Sequence, residues 1–235
     1  MATFLLLGSG EFEPWGSPIE RRVLDAATGD GTVLVIPTAS ATEGEDVFQR
    51  WGQMGLVHYA ADDVPAELLE LRTREDAHRK DLADRVRAAS MLAFSGGKPQ
   101  RLEATLRDTP VWAAALEAID RGAVYYGCSA GAIVASQAAD GRARGLGTSW
   151  LYGLGLVSGV SFGVHWDRVT KFPGLERYFS ARVPEGSIFV GIHERTAIVG
   201  DGSSWEVTGE GGVVVRDRRR NDLYREGEAF TTPGG

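Results

Sequence analysis

The chain has a single cysteine, Cys128, among 235 residues, so it cannot form an internal disulfide, and a cysteine-based zinc site is disfavoured. Histidine is nearly as scarce, and any imidazole chemistry must come from His58, His78, His165 or His193. Basic residues are outnumbered, 25 Lys and Arg against 32 Asp and Glu, which gives a formal net charge of -7. The short run Arg218 to Arg220 is the one basic cluster, and it reads as a solvent-facing stretch near the end of a sheet. That balance argues against a nucleic-acid partner or an anionic membrane surface. Apolar runs fall short of the roughly 20 residues a membrane helix needs. The start, Met1 to Leu7, lacks the charged region and cleavage site of a signal peptide and reads as a first strand. A cytoplasmic location is the simplest expectation. Linkers, repeats and low-complexity segments are absent as well, so residues 1–235 read as one domain.

What the chain does have is 43% hydrophobic residues, enough to bury one sizeable core. Strand-like runs at Thr3 to Leu7, Thr32 to Ile36, Leu56 to Tyr59, Met91 to Phe94 and Ala123 to Tyr126 alternate with helical stretches. Those stretches are Ile19 to Ala27, with Ser17 as N-cap and Pro18 at the first helical position, then Glu45 to Met54, the charged region Glu67 to Arg87, Gln100 to Leu106 and Val111 to Ile119. The alternation predicts an α/β fold with a parallel sheet. After an apolar, glycine-rich stretch from Leu154 to Val164 come a helix at Pro173 to Arg182 and a strand at Ser187 to Ile192. Short strands at Thr196 to Val199, Trp205 to Thr208 and Gly211 to Arg216 then read as an antiparallel extension of that sheet. Ligands of open parallel sheets bind at the carboxyl ends of the strands. Gly8 to Glu11, Ser95 to Lys98, Gly127 to Gly131 and His165 to Arg168 all follow predicted strands, so they are expected to meet at one edge.

The sharpest local pattern is Gly127-Cys128-Ser129-Ala130-Gly131, between a strand and a small-residue helix start. Gly-x-Ser-x-Gly in that setting holds a serine at the apex of a strained turn over a helix N-terminus; elsewhere it is a plain helix start with Ser as N-cap. A serine hydroxyl needs a base, and the base needs an orienting group. His58 in a strand and His78 in a charged helix read as structural residues, whereas His165 and His193 both lie at strand ends, and His165 is the favoured base. Asp167, Glu194 and Asp140 compete as the acid, and the residues alone do not rank them. The Ala130 N–H is one candidate donor to an oxyanion, and Gly97 in Phe94-Ser95-Gly96-Gly97 offers the other. Cys128 is intrinsically the better nucleophile, yet the residue before the apex points back to the sheet, where a free cysteine is a packing residue.

Taken in order, Phe94-Ser95-Gly96-Gly97, Gly127 to Ala132, His165, and Gly191-Ile192-His193-Glu194-Arg195-Thr196-Ala197 resemble the motifs of the serine-peptidase family containing aspartyl dipeptidase (peptidase E) and cyanophycinase. The similarity runs from Gly8 to Val215. It implies a class I glutamine-amidotransferase-like fold: three α/β/α layers around a mostly parallel, flavodoxin-like sheet with C-terminal antiparallel strands. It also implies Ser129 as nucleophile, His165 as base and Glu194 as acid, acting on a peptide or amide bond of a small substrate through an acyl-enzyme. Neither metal nor organic cofactor is implied. Departures bear on the substrate. Phe162-Gly163-Val164 stands where the cyanophycinase branch has Asp-Gln before its histidine, Lys98-Pro99 replaces another Asp-Gln, and His193 replaces an Asp. These turn the expectation away from β-aspartyl-arginine polymer. Lys98, Arg101 and Arg168 are candidates to bind a substrate carboxylate, and Gly96 to let the backbone approach the substrate. Acyl transfer on the same site, or a non-catalytic amino-acid-binding relative, fits the same residues. A homodimer is neither demanded nor excluded.

Overall fold

Alternate residues of the first strand, β1 (Thr3–Leu7), enter different cores: Phe4 and Leu6 join one buried cluster, Leu5 and Leu7 the other. A strand apolar on both faces is one covered on both faces, as parallel strands are. The structure is a computed structural model that describes residues 2–137, 153–180, 183, 186–217 and 220–233. The same two-sided burial recurs in β2 (Val33–Ile36), β4 (Met91–Phe94) and β5 (Val124–Cys128). With β3 (Ala66–Leu68) these strands run parallel in the order β1-β5-β4-β2-β3. On one face lie α1 (Ser17–Asp25) and α2 (Glu45–Ala61), which bring Ile19, Val23 and Tyr59 against Leu5, Val35 and Tyr126. On the other lie α3 (Lys80–Ala88), α4 (Pro99–Leu106) and α5 (Pro110–Asp120), with Leu82, Leu102 and Trp112 over Leu34, Leu92 and Tyr125. Three layers result.

The C-terminal strands divide between two sheets, where the sequence suggests one extended sheet. β8 (Thr196–Gly200), β9 (Ser204–Gly209) and β12 (Ala229–Thr231) extend the main sheet antiparallel beyond β1. A second sheet, in the order β11-β10-β7-β6, is built from β6 (Val160–Gly163), β7 (Ile188–Ile192), β10 (Gly212–Arg216) and β11 (Asn221–Arg225). Its Phe162, Val190 and Val213 share a core with Trp205 and Val207 of β9. The sequence reading missed β11, which is mostly polar and exposed, and β12, which is only three residues long with Phe230 alone buried. Three local expectations also change. Leu56 to Tyr59 is helical, because Phe48, Gly52, Gly55 and Tyr59 recur at helical spacing on the buried face of α2. Glu67 to Arg87 is not one helix, since it begins in β3 and turns helical over Lys80–Ala88. Ser17 lies inside α1, Gly16 occupies the cap position, and no side chain caps it. Arg218 and Arg219 lie outside the described residues.

His58, thereby moved from a strand to a helix, sits with Nε2 2.7 Å from Glu20 Oε2 of α1, and both side chains are buried. Burial alone would push the imidazole down; the hydrogen bond and charge of Glu20, aided by Asp62, outweigh it and hold His58 above its ordinary value. A raised folded-state value contributes stability fully present below the unfolded value of about 6.5 and lost as pH rises through the folded one. The thermal midpoint is therefore expected to fall, as pH rises above about 6.5, by a component that His58→Gln removes, and a pH series of unfolding scans on both proteins checks it.

Candidate active site

β5 ends at Cys128 and α6 (Ala130–Val134) begins two residues later, so Ser129 must make the whole turn. Its backbone, at φ 49° and ψ -103°, is one an L-residue rarely adopts. Such strain costs about 1–3 kcal/mol and persists only where the surroundings enforce it. Here they do. A Cβ on Gly127 would lie 2.6 Å from the Gly131 carbonyl carbon, and one on Gly131 would lie 2.3 Å from the Phe94 carbonyl oxygen. The Ser129 N–H donates to the Leu7 carbonyl at 3.0 Å, and the Tyr125 hydroxyl to the Gly131 carbonyl at 2.7 Å. Gly131→Ala is expected to destabilise the chain by about 3 kcal/mol through overpacking against fixed backbone. That is roughly a 6–12 °C drop in thermal midpoint for a chain of this size.

The hydroxyl so presented is 3.2 Å from His165 Nε2. His165 caps α7 (Trp166–Val169) in a left-handed conformation, φ 50° and ψ 35°. Its neighbour Trp166 anchors it: the indole is buried beside Phe189, with ring centroids 4.4 Å apart. That socket exists because Gly163 and Gly191, paired across β6 and β7, carry no side chains; a Cβ on Gly191 would lie 2.5 Å from the Trp166 ring.

His165 Nδ1 lies 3.1 Å from Glu194 Oε1. An ionised carboxylate only accepts, so the ring proton belongs on Nδ1 and Nε2 is left as an acceptor facing the serine. Glu194 sits where the chain crosses from β7 in one sheet to β8 in the other, and it is held from several sides. Arg168 Nε is 2.6 Å from its other oxygen, and its backbone N–H donates to Asp167 Oδ1 at 2.8 Å. Next to it, the Arg195 N–H donates to Ser9 Oγ and the Arg195 guanidinium pairs with Glu13 and Glu210.

The remaining candidates fall into place around this line. Asp167 holds the Glu194 amide, and Asp140 lies outside the described residues. His193 is half-buried, depressed by desolvation, near Asp167 and Arg225; His78 is exposed over the Arg74 carbonyl. Arg168 is committed to Glu194, and an Arg101 guanidinium N–H donates to the Arg72 carbonyl, so both arginines are engaged within the protein. Lys98 is exposed at the mouth of the β4–α4 loop. In that loop Gly97 takes φ +135°, and a Cβ there would lie 2.5 Å from the Ala39 carbonyl carbon. Gly96 backs directly onto the nucleophile, where an added Cβ would be 3.5 Å from Ser129 Cβ. Cys128 is wholly buried, and burial together with the nearby Glu11 carboxylate pushes its thiol far above the ordinary range, the opposite of an activated nucleophile. Glu11 is the residue that sequence reasoning passed over; its one signal was its place just after the first strand. Among the described residues no group of three or more His, Cys, Asp or Glu side chains could hold a metal ion, and no helix is long and apolar enough to cross a membrane.

Residues 4–208 match peptidase family S51. The chain belongs to that family. Among its relatives are cyanophycinases of Trichormus variabilis (strain ATCC 29413 / PCC 7937) and Nostoc sp. (strain PCC 7120 / SAG 25.82 / UTEX 2576). Each is 28% identical over 225 residues, which cover 91% of this chain and 72% of the relative. The crystal structure of a peptidase from an acI-B1 Actinobacterium superposes with a TM-score of 0.89 at 28% identity, covering 98% of this chain and 97% of the other. A putative peptidase E from Listeria monocytogenes EGD-e matches with a TM-score of 0.65 at 20% identity, over 90% of this chain and 100% of that one. The S51 assignment makes this chain a member of a serine-peptidase family with a peptide substrate, on the α/β architecture described above.

Proposed function

We propose that this S51 chain hydrolyses a peptide or amide bond of a small substrate through an acyl-enzyme on Ser129. The observation that carries the reading is the unbroken line from Ser129 Oγ through His165 to Glu194, in contacts of 3.2 and 3.1 Å, starting from a strained turn. In the first step His165 Nε2 takes the serine proton as Oγ attacks the carbonyl carbon, and it then returns that proton to the leaving amine. Water, deprotonated by the same nitrogen, attacks the ester and frees Ser129. Glu194 fixes the Nδ1–H tautomer and stabilises the imidazolium formed in each half. The Ala130 and Gly97 N–H groups are the donors for the oxyanion, each worth about 3 kcal/mol in the transition state.

On the substrate, Lys98 is exposed in the loop that carries Gly97, whereas Arg168 is paired with Glu194 and Arg101 with the Arg72 carbonyl, so Lys98 is the candidate cation for a substrate carboxylate. With Asp167 and Arg168 both engaged around Glu194, a small acidic or carboxylate-bearing dipeptide fits this site better than an arginine-rich polymer. Two measurements test the reading. A fluorophosphonate probe should form one adduct, mapped by peptide mass to Ser129, and a dipeptide library scored for amine release should return a small set of cleaved members. A wild-type chain that stays unlabelled and releases no amine would sink it.

A further inference from the structure

Glu11 is a carboxylate with little reason to be buried unless it holds something. It follows β1, is 7% exposed, and each oxygen has a partner on a different strand end. Oε1 accepts the Gly96 N–H after β4 at 2.8 Å, and Oε2 lies 2.9 Å from Cys128 Sγ at the end of β5. Phe12 keeps it there, stacked on Tyr126 with an interplanar angle of 4° and edge-on to Tyr59. The backbone at Gly96 is sandwiched between this carboxylate and the nucleophile, since an added Cβ would meet Glu11 Oε1 at 2.9 Å and Ser129 Oγ at 3.9 Å.

The loop from Ser95 to Lys98 has four N–H groups. Those of Ser95, Gly96 and Lys98 donate to the Ile36 carbonyl, Glu11 and the Ala39 carbonyl, respectively. Among the described residues the Gly97 N–H has no such partner. Two successive glycines are the most rotatable pair a loop can contain, so the direction of that free N–H depends on what fixes the peptide before it. We propose that Glu11 is a positioning residue for the hydrolytic site: by gripping the Gly96 N–H it locks the glycine pair and aims the Gly97 N–H at the oxyanion formed over Ser129. The inference rests on the proposed acyl-enzyme chemistry. It assigns Glu11 no contact with substrate, and its effect passes through the loop.

The test uses the full chain and the fluorophosphonate probe, whose phosphonyl oxygen needs the same donors. Glu11→Ala is expected to lower the maximal rate of Ser129 labelling by about 100-fold, the size of a lost oxyanion donor. The probe concentration for half-maximal rate should be unchanged. Glu11→Gln, which keeps the reach and an acceptor oxygen, should stay within about 5-fold of wild type, whereas Glu11→Asp, charged but shorter, should lose at least about 20-fold. If Glu11→Ala does not fold, the other two variants decide by themselves. Reach ranks Gln above Asp, while a role for charge alone ranks Asp above Gln and overturns the proposal. Labelled wild type with all three variants equally fast would remove the clamp and leave the hydrolase reading standing. An unlabelled wild type would remove both.

Discussion

Replacing Ser129 with Ala is expected to abolish the fluorophosphonate adduct and to cut hydrolysis by about ten-thousand-fold or more, because the residues of such a triad act as a unit. The fold should survive, since alanine keeps the Cβ that the turn at φ 49° already accommodates and removes a hydroxyl whose hydrogen bond among the described residues is to His165 Nε2. The rival nucleophile is the adjacent thiol. Cys128 is wholly buried, faces Glu11, and is held in its protonated form by its surroundings. Labelling of Cys128→Ala is therefore expected to stay within about 5-fold of wild type. A Ser129→Ala chain that still turns over substrate and is silenced by a thiol reagent would move the chemistry to Cys128.

How much of this was legible beforehand depends on the range over which each feature is decided. The elbow could be read because its pattern is local: Gly127 is glycine for a contact its own turn creates, and Gly131, although it makes room for the Phe94 carbonyl of β4, stands at a fixed spacing from the serine. The parallel core could be read because β1, β2, β4 and β5 announce two-sided burial in their own composition. Leu56 to Tyr59 was ambiguous because four apolar residues fit either period, and only the longer spacing from Phe48 to Tyr59 settles the helix. The division of the C-terminal strands between two sheets could not be read. β7 and β8 are separated by three residues, yet one pairs with β6 and β10 and the other with β1 and β9, a choice made by partners far along the chain. That crossing carries the proposed acid. His193, Glu194 and Arg195 are the three residues that pass between sheets, so Glu194 emerges at the switch, where neither sheet uses its side chain. In the sequence Glu11 has no role of its own and Arg168 reads only as a candidate for a substrate carboxylate, because the long-range partners of each, Gly96 in one case and Glu194 in the other, are set by the fold.

The acid is the point on which residues alone left a choice, and the geometry makes it testable through the pair Glu194→Gln and Asp167→Asn. Glu194 divides its oxygens, one to His165 Nδ1 and one to Arg168 Nε. A glutamine there must place its carbonyl oxygen toward one of them. The Arg168 guanidinium can only donate and claims that oxygen, which leaves the amide NH₂ facing the imidazole. A donor opposite Nδ1 forces the proton onto Nε2, where it blocks the serine's own proton from leaving. A reduction of about 10³–10⁴-fold in the maximal labelling rate is expected, the penalty of a wrong tautomer in a triad whose geometry is otherwise kept. Asp167→Asn changes less, because its Oδ1 can go on accepting the Glu194 N–H, and its expected reduction is below about tenfold. Arg168→Ala combined with Glu194→Gln frees the amide to turn its oxygen back to Nδ1 and should recover part of the lost rate, an outcome that no packing effect at Glu194 would produce. If Asp167→Asn instead costs as much as Glu194→Gln, and the double variant recovers nothing, the acid is Asp167 and Glu194 merely fills the gap between the two sheets.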